Sequence, residues 1–240
     1  MGEILALVSG KGGTGKTSLC AGIATCLAAM GKQVLCVDLD VGLRNLDIAL
    51  GMEEDNALPF TPFVTGEYGR DALTRSSKIQ NLYLLTAPTE LLPEEEDPFC
   101  AWLEGEKEHF DFILLDAPAG VGRLFRLSVR AADRCIVVTG GDRATLRDGA
   151  RAAELLEGKP AKILVNRLSP RLFKKLRSNV DDIMDLVSLP LLGLVPEDEN
   201  VPLSAGSGVP LVLRSRKGAA AACLRVARRL CGLPAPLKVK

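Results

Sequence analysis

Histidine is almost missing from this sequence. His109 is the only one in 240 residues and closes a charged segment before a strand, a place for surface or helix-end duty, so neither a Ser–His–Asp triad nor a histidine-based metal site is expected. Seven cysteines are scattered at 20, 26, 36, 100, 135, 223 and 231 with no C-x-x-C pair, which excludes the usual iron–sulfur and zinc frameworks. Most lie in apolar stretches, as small buried hydrophobes of a reducing compartment do. No apolar run reaches the roughly 20 residues needed to cross a bilayer, and residues 3–9 are too short for a signal core. The expectation is a soluble, cytoplasmic protein without a transmembrane segment. Acidic residues stop before Val201, while Arg214, Arg216, Lys217, Arg225, Arg228, Arg229, Lys238 and Lys240 follow, although the net charge of the whole chain is zero. Two readings of that asymmetry stay open: an anionic partner (membrane surface or nucleic acid), or a solvated helix face.

What is present is ordinary globular material, 47% hydrophobic and 25% charged. Short apolar runs at 3–9, 33–38, 81–86, 111–116, 134–139, 161–166 and 190–195 alternate with helical segments near 17–30, 95–108, 122–132, 143–157, 171–187 and 216–231. Runs such as Phe112-Ile113-Leu114-Leu115 have no polar face and predict strands buried on both sides. The pattern predicts an α/β fold of three layers, a doubly wound, mostly parallel sheet between helices. Residues 1–232 read as a single domain, with 233–240 as a short proline-containing tail. Pro59, Pro62 and Gly66 break any long helix over 52–78, and Pro88, Pro93 and Pro98 do so over 88–98.

The most specific feature is Gly10-Lys11-Gly12-Gly13-Thr14-Gly15-Lys16-Thr17, which fits G-x-x-x-x-G-K-[ST]. It follows the first apolar run and opens a helix, the context in which main-chain N–H groups converge on a polyphosphate. Lys16 is placed to neutralise β- and γ-phosphates, and the Thr17 hydroxyl to take one position on Mg²⁺. Gly10 to Ser18 are thus candidate contacts to a nucleoside triphosphate. The second strand ends in Asp38-Leu39-Asp40 and the fourth in Asp116-Ala117-Pro118-Ala119-Gly120. One carboxylate there can order the Mg²⁺ shell, another can place a water in line with the γ-phosphate, and Asp116 follows its apolar run as a Walker B carboxylate does.

Lys11 is not needed by an ordinary phosphate loop. With it, Lys11-Gly12-Gly13-x-Gly15-Lys16-Thr17 resembles the deviant Walker A motif of the MinD/ParA ATPases. The likeness extends through Asp38-x-Asp40-x-Gly42-Leu43-Arg44-Asn45-Leu46-Asp47, Gly51, Asn81-Leu82-Tyr83, Asp116-x-Pro118-Ala119-Gly120, Arg147-Asp148 and Pro196-Glu197-Asp198, covering most of residues 1–232. The string from Gly42 to Asp47 favours the division-site branch of that family over the chromosome-partitioning branch. The resemblance implies an ATPase that binds ATP or ADP with Mg²⁺ and closes into an ATP-sandwiched homodimer. In it Lys11 reaches the opposite subunit's phosphates, as an arginine finger does. It further implies that Asp40 orients the hydrolytic water, that Asp38 supports the metal shell, and that Asn45 lies in a switch segment. By the same likeness Asn166 reads the adenine edge and Pro196 closes over the ring. From its own position Asn166 could instead simply cap the next helix. A protein activator of hydrolysis is implied as well, and a flagellar-number or partitioning adaptor is the alternative role.

The family's division-site members end in an amphipathic membrane helix, whereas Pro234 and Pro236 bar a useful helix here. Leu168, Leu172, Phe173 and Leu176, interleaved with Arg171, Lys174, Lys175 and Arg177, form a basic amphipathic stretch. It reads either as a surface for anionic lipid or DNA, or as a helix packed on the sheet.

Overall fold

A computed structural model describes residues 1–41, 45–169 and 180–237. The expectations placed on Gly42, Leu43 and Arg44, on the basic stretch from Arg171 to Arg177, and on Lys238 and Lys240 lie outside the described residues.

The strands are β1 (Glu3–Val8), β2 (Val34–Asp38), β3 (Thr74–Arg75), β4 (Leu82–Leu85), β5 (Phe112–Asp116), β6 (Arg134–Thr139), β7 (Ala161–Leu168) and β8 (Leu191–Pro196). They form one sheet in the order β3-β4-β2-β5-β1-β6-β7-β8. All neighbours run parallel except β3, which pairs antiparallel with β4 through Thr74–Leu84 and Arg75–Tyr83. All seven apolar runs became strands. Strand β3 was not expected, because two residues with no apolar periodicity carry no strand signal of their own; pairing with β4 defines them.

The helices are α1 (Lys16–Ala29), α2 (Leu46–Leu50), α3 (Thr61–Val64), α4 (Glu96–Glu106), α5 (Arg123–Ala131), α6 (Arg143–Glu154), α7 (Val180–Val187), α8 (Asn200–Ser207), α9 (Leu211–Arg214) and α10 (Gly218–Leu230). Four of them, α2, α3, α8 and α9, were not expected either. They are little more than two turns at most, and α3 and α8 carry a proline in their first turn, where its missing N–H costs nothing.

Alternation along each strand divides the core cleanly. Leu5, Leu7, Cys36, Phe112 and Leu114 face the layer containing α1, α2 and α10. Ile4, Ala6, Val37, Ile113 and Leu115 face α3, α4, α5 and part of α6. With both faces covered, a polar residue inside these strands would be stranded, which is why they read as unbroken apolar runs. Helix α1 is buried almost all round, from Leu19 to Ala28, because α10 lies across its outer side. Small residues of α10, among them Ala219, Ala220 and Cys223, permit that approach.

Strand register sets where the carboxylates stand. Asp38 of β2 and Asp116 of β5 are direct partners, and Asp116 also faces Leu7 of β1. Three adjacent parallel strands therefore end at one level: β1 leading into the glycine loop, β5 and β2 each ending in a carboxylate. Chain crossovers diverge on either side of β1, the position where parallel α/β sheets open a crevice for ligands.

Candidate nucleotide site

The loop from Gly10 to Gly15 joins β1 to α1 and is held from below. Ser9 is buried and its hydroxyl donates to the Lys11 carbonyl at 3.0 Å. The Gly120 N–H donates to the Ser9 carbonyl at 3.2 Å, and Ala117 N–H to Leu7 at 3.2 Å, tying the segment after β5 to the loop. Two glycines are sterically required. At Gly10 a Cβ would stand 2.1 Å from the Asp148 carbonyl oxygen of α6. Gly15 has φ +83° and a Cβ there would meet Asn166 Nδ2 at 2.3 Å.

Gly15 is the N-cap of α1, and no side chain caps the helix, nor is there an acidic residue in its first turn. The orphan N–H groups and the positive end of the helix dipole are thus left to an anion. Lys16 is only 7% exposed, and its Nζ lies 2.8 Å from Asp116 Oδ1, itself 1% exposed. Lys11 by contrast is exposed, at the mouth of the crevice.

Asp38 is fully enclosed. Its Oδ1 accepts the Asp40 N–H at 2.9 Å, and its Oδ2 accepts Asn45 N–H at 3.4 Å and Leu46 N–H at 3.3 Å. This carboxylate therefore shapes the chain entering α2, in addition to facing Asp116. Burial pushes its pKa up to about 6, opposed by the N–H bond from Asp40 and reinforced by the neighbouring Asp116. Asp40 lines a pocket of ≈ 220 Å³ with Ser9, Lys11, Lys16, Thr17 and Ala119. Burial raises its pKa as well, Lys16 opposing and Asp116 adding.

Beside the loop lies a second pocket of ≈ 450 Å³, bounded by Gly15, Ser18, Leu19, Asn166, Pro196 and Pro202. Asn166 is buried at the end of β7, and its Nδ2 donates to the Thr14 carbonyl at 2.8 Å. It caps no described helix; it ties β7 to the loop. The structure thus brings together every site residue expected from the sequence: the loop, both strand-end aspartates with Asp40, and Asn166 with Pro196.

Arg167 joins this group without having been expected. It has φ +52°, where β7 shifts register against β8, and it lines both pockets and the adjoining cleft at Gly140 and Gly141. A positive φ at an arginine stores strain that concentrates at working sites. No spacing rule reveals it in advance, since a bulge is set by pairing.

The residues fit a nucleoside polyphosphate with a hard divalent cation. An uncapped helix start, a buried ammonium and a loop that tolerates no side chain at Gly15 make an anion cradle. Among the described residues no three His, Cys, Asp or Glu side chains are arranged to hold a metal ion by themselves, so they form no closed metal cage. That suits Mg²⁺, which takes one or two carboxylates and completes its shell with phosphate oxygens and water.

The profile of the CobQ/CobB/MinD/ParA nucleotide binding domain matches residues 5–211. The chain belongs to this MinD/ParA family of nucleotide-binding ATPases. Its relatives include the septum site-determining protein MinD of Bacillus subtilis, 35% identical over 251 residues, covering 100% of this chain and 92% of that protein. The MinD of Thermotoga maritima is 33% identical, over 99% and 91% of the two chains. Among solved structures, a MinC:MinD cell division complex from Aquifex aeolicus superposes with TM-score 0.90 at 33% identity, covering 98% of each chain. A MinD from Pyrococcus horikoshii complexed with Mg-ADP superposes with TM-score 0.81 at 28% identity, covering 96% of each. This MinD/ParA ATPase has the fold of those relatives from β1 to β8. Among its described residues no helix is long and apolar enough to cross a membrane.

Proposed function

We propose that this protein is an ATP-driven dimerisation switch: it binds Mg·ATP, two copies close face to face, and hydrolysis to ADP and phosphate reopens them. One observation carries the reading. The loop holds two lysines in opposite situations, Lys16 buried against Asp116 and Lys11 exposed at the crevice mouth. A cation already inside the cradle serves its own nucleotide; one outside it is free to meet the nucleotide of a facing copy.

In this scheme main-chain N–H groups from Gly10 to Thr17 and the Lys16 ammonium bind the phosphates, and Ser18 sits beside the base pocket. Thr17 and Asp116 would hold the Mg²⁺, with Asp38 ordering its water shell. When bound there, the ion would supply charge neutralisation on the β- and γ-phosphates. Asp40 accepts a hydrogen bond from the attacking water and keeps it in line. Lys11 of the facing copy neutralises charge developing on the γ-phosphoryl, a contribution of about 10³–10⁵ in rate where an arginine does it. Asn166 and Pro196 bound the adenine.

Asp40→Ala tests the scheme, because it removes the water's acceptor and leaves the cradle. With ATP it should elute as a persistent dimer, and with ADP as a monomer; a monomer in both would defeat the sandwich. Several relatives are septum site-determining proteins, and one is crystallised with MinC. Division-site placement with a protein activator is therefore the first biological reading. A nucleotide-gated adaptor on DNA or a protein partner is the second, favoured by the acid-free stretch after Val201 and the exposed Leu203 and Leu213 within it. Co-sedimentation with anionic vesicles and with duplex DNA, each under ATP and ADP, separates the two: vesicles alone support division-site placement, DNA alone the adaptor.

A further inference from the structure

A groove on the opposite helical layer takes no part in the nucleotide scheme. It lies between α3 and the start of α4 and has a volume of ≈ 330 Å³. Phe60 and Phe99 floor it, their ring centroids 4.7 Å apart, and Val64 and Leu91 wall it. Thr61 lines it too, and its buried hydroxyl oxygen finds no hydrogen-bond partner among the described residues. Apolar concavities edged by a few polar groups are what side chains of another molecule occupy.

The charge of the rim selects the kind of molecule. Residues 94–97 are Glu-Glu-Glu-Asp, and Glu90 precedes them. Glu96 is taken by Arg123 at 2.8 Å and Arg130 at 3.2 Å, and Asp97 by Arg130 at 2.9 Å. Glu95 accepts the Leu92 N–H at 2.6 Å. Glu90 and Glu94 remain exposed and enter no ion pair among the described residues. An acidic rim repels lipid and nucleic-acid phosphate and attracts lysine or arginine. Arg123 also connects the groove to the nucleotide crevice. It is the first residue of α5, three positions after Gly120 of the segment that follows Asp116, and its guanidinium donates to the Leu91 carbonyl while pairing with Glu96.

We propose that this groove receives a short segment of a protein partner, a bulky apolar side chain flanked by lysine or arginine, and that Arg123 transmits its occupancy to the segment after Asp116. The transmission rests on the nucleotide reading of the crevice; the docking does not.

Trp102, the only tryptophan, packs on Phe63 of α3 at 6.4 Å between centroids and so reports on the groove through that helix, whose Thr61 and Val64 line it. The probes are decapeptides displayed on phage and selected on the full chain, with Val64→Asp as decoy. The expected consensus is Leu, Phe or Met beside Lys or Arg. A synthetic peptide of that consensus should change Trp102 emission saturably, and Glu94→Lys, an exposed substitution that leaves the fold intact, should weaken it tenfold or more. Bound peptide should alter release of a fluorescent ADP analogue at least threefold, and Arg123→Ala should abolish that change while keeping peptide affinity within twofold. No basic–apolar consensus, equal affinity in Glu94→Lys, a silent Trp102, or an unaltered release rate each overturns the proposal. Failure of the ADP analogue to bind at all would count against the nucleotide reading instead, leaving the docking to the Trp102 titration.

Discussion

Removing the Lys16 ammonium should cost more than nucleotide affinity. Lys16 and Asp116 are 8% and 1% exposed at their side chains and 2.8 Å apart, with Asp38 facing Asp116 across the strand pair. At an effective dielectric of about 20, two unit charges at that distance attract by roughly 6 kcal/mol, most of which offsets the cost of desolvating them. Lys16→Ala removes the attraction and leaves the desolvation of Asp116 in place, beside a second carboxylate. Losing one partner of a buried pair costs about 3–5 kcal/mol. In a chain of this size that is roughly 6–20 °C of melting temperature. Removing both charges at once, as in Lys16→Met with Asp116→Leu, should recover most of the loss, because that charge pair is then gone from the interior. The assay is thermal and urea unfolding of nucleotide-stripped protein without Mg²⁺, read by circular dichroism. If Lys16→Ala melts within about 2 °C of wild type, or if the double variant is worse than the single one by the sum of two independent losses, the pair is not the electrostatic unit described.

The raised pKa of Asp38, about 6 against an ordinary 3.8, gives stability that is present below pH 4 and lost as pH rises through 6. That is about 3 kcal/mol across two units, so Asp38→Asn should gain on wild type between pH 4 and 7 in EDTA; a constant gap in melting temperature would refute it. Gly15→Ala adds left-handed strain of about 1–2 kcal/mol and pushes on Asn166 from 2.3 Å. It should lower melting temperature and weaken ATP binding at least tenfold, and unchanged affinity by fluorescence titration would contradict the close packing. Lys11→Ala should keep nucleotide affinity within a few-fold yet fail to dimerise with ATP in analytical ultracentrifugation; loss of binding itself would place Lys11 in its own cradle.

How much was legible beforehand depended on whether a feature is local. The octapeptide from Gly10 to Thr17 names its own chemistry, because strand, tight turn and helix are consecutive and the motif is written in adjacent residues. The seven long strands were legible for a related reason: burial on both faces removes polar residues from a run, and such runs stand out. Asp38, Asp40 and Asp116 could be picked as carboxylates at strand ends. Their convergence could not, since it follows from β5 inserting between β1 and β2, a pairing across more than seventy residues. Nor could the two duties of Asp38, which holds the main chain at Asp40, Asn45 and Leu46. Arg167 and β3 were invisible because register and pairing create them, and the groove at Phe60 and Phe99 because its walls come from two segments, 60–65 and 91–99, that are separated in the sequence.

By itself, then, the order of residues determined the α/β class and the nucleotide-binding family, both of which rest on short-range patterns. Tertiary structure alone decided which charges are buried together, which lysine of the loop faces outward, and which loops share a wall. The reason is physical: electrostatics and packing act over a few ångströms of space, and only folding brings positions 16 and 116, or 14 and 166, within that reach.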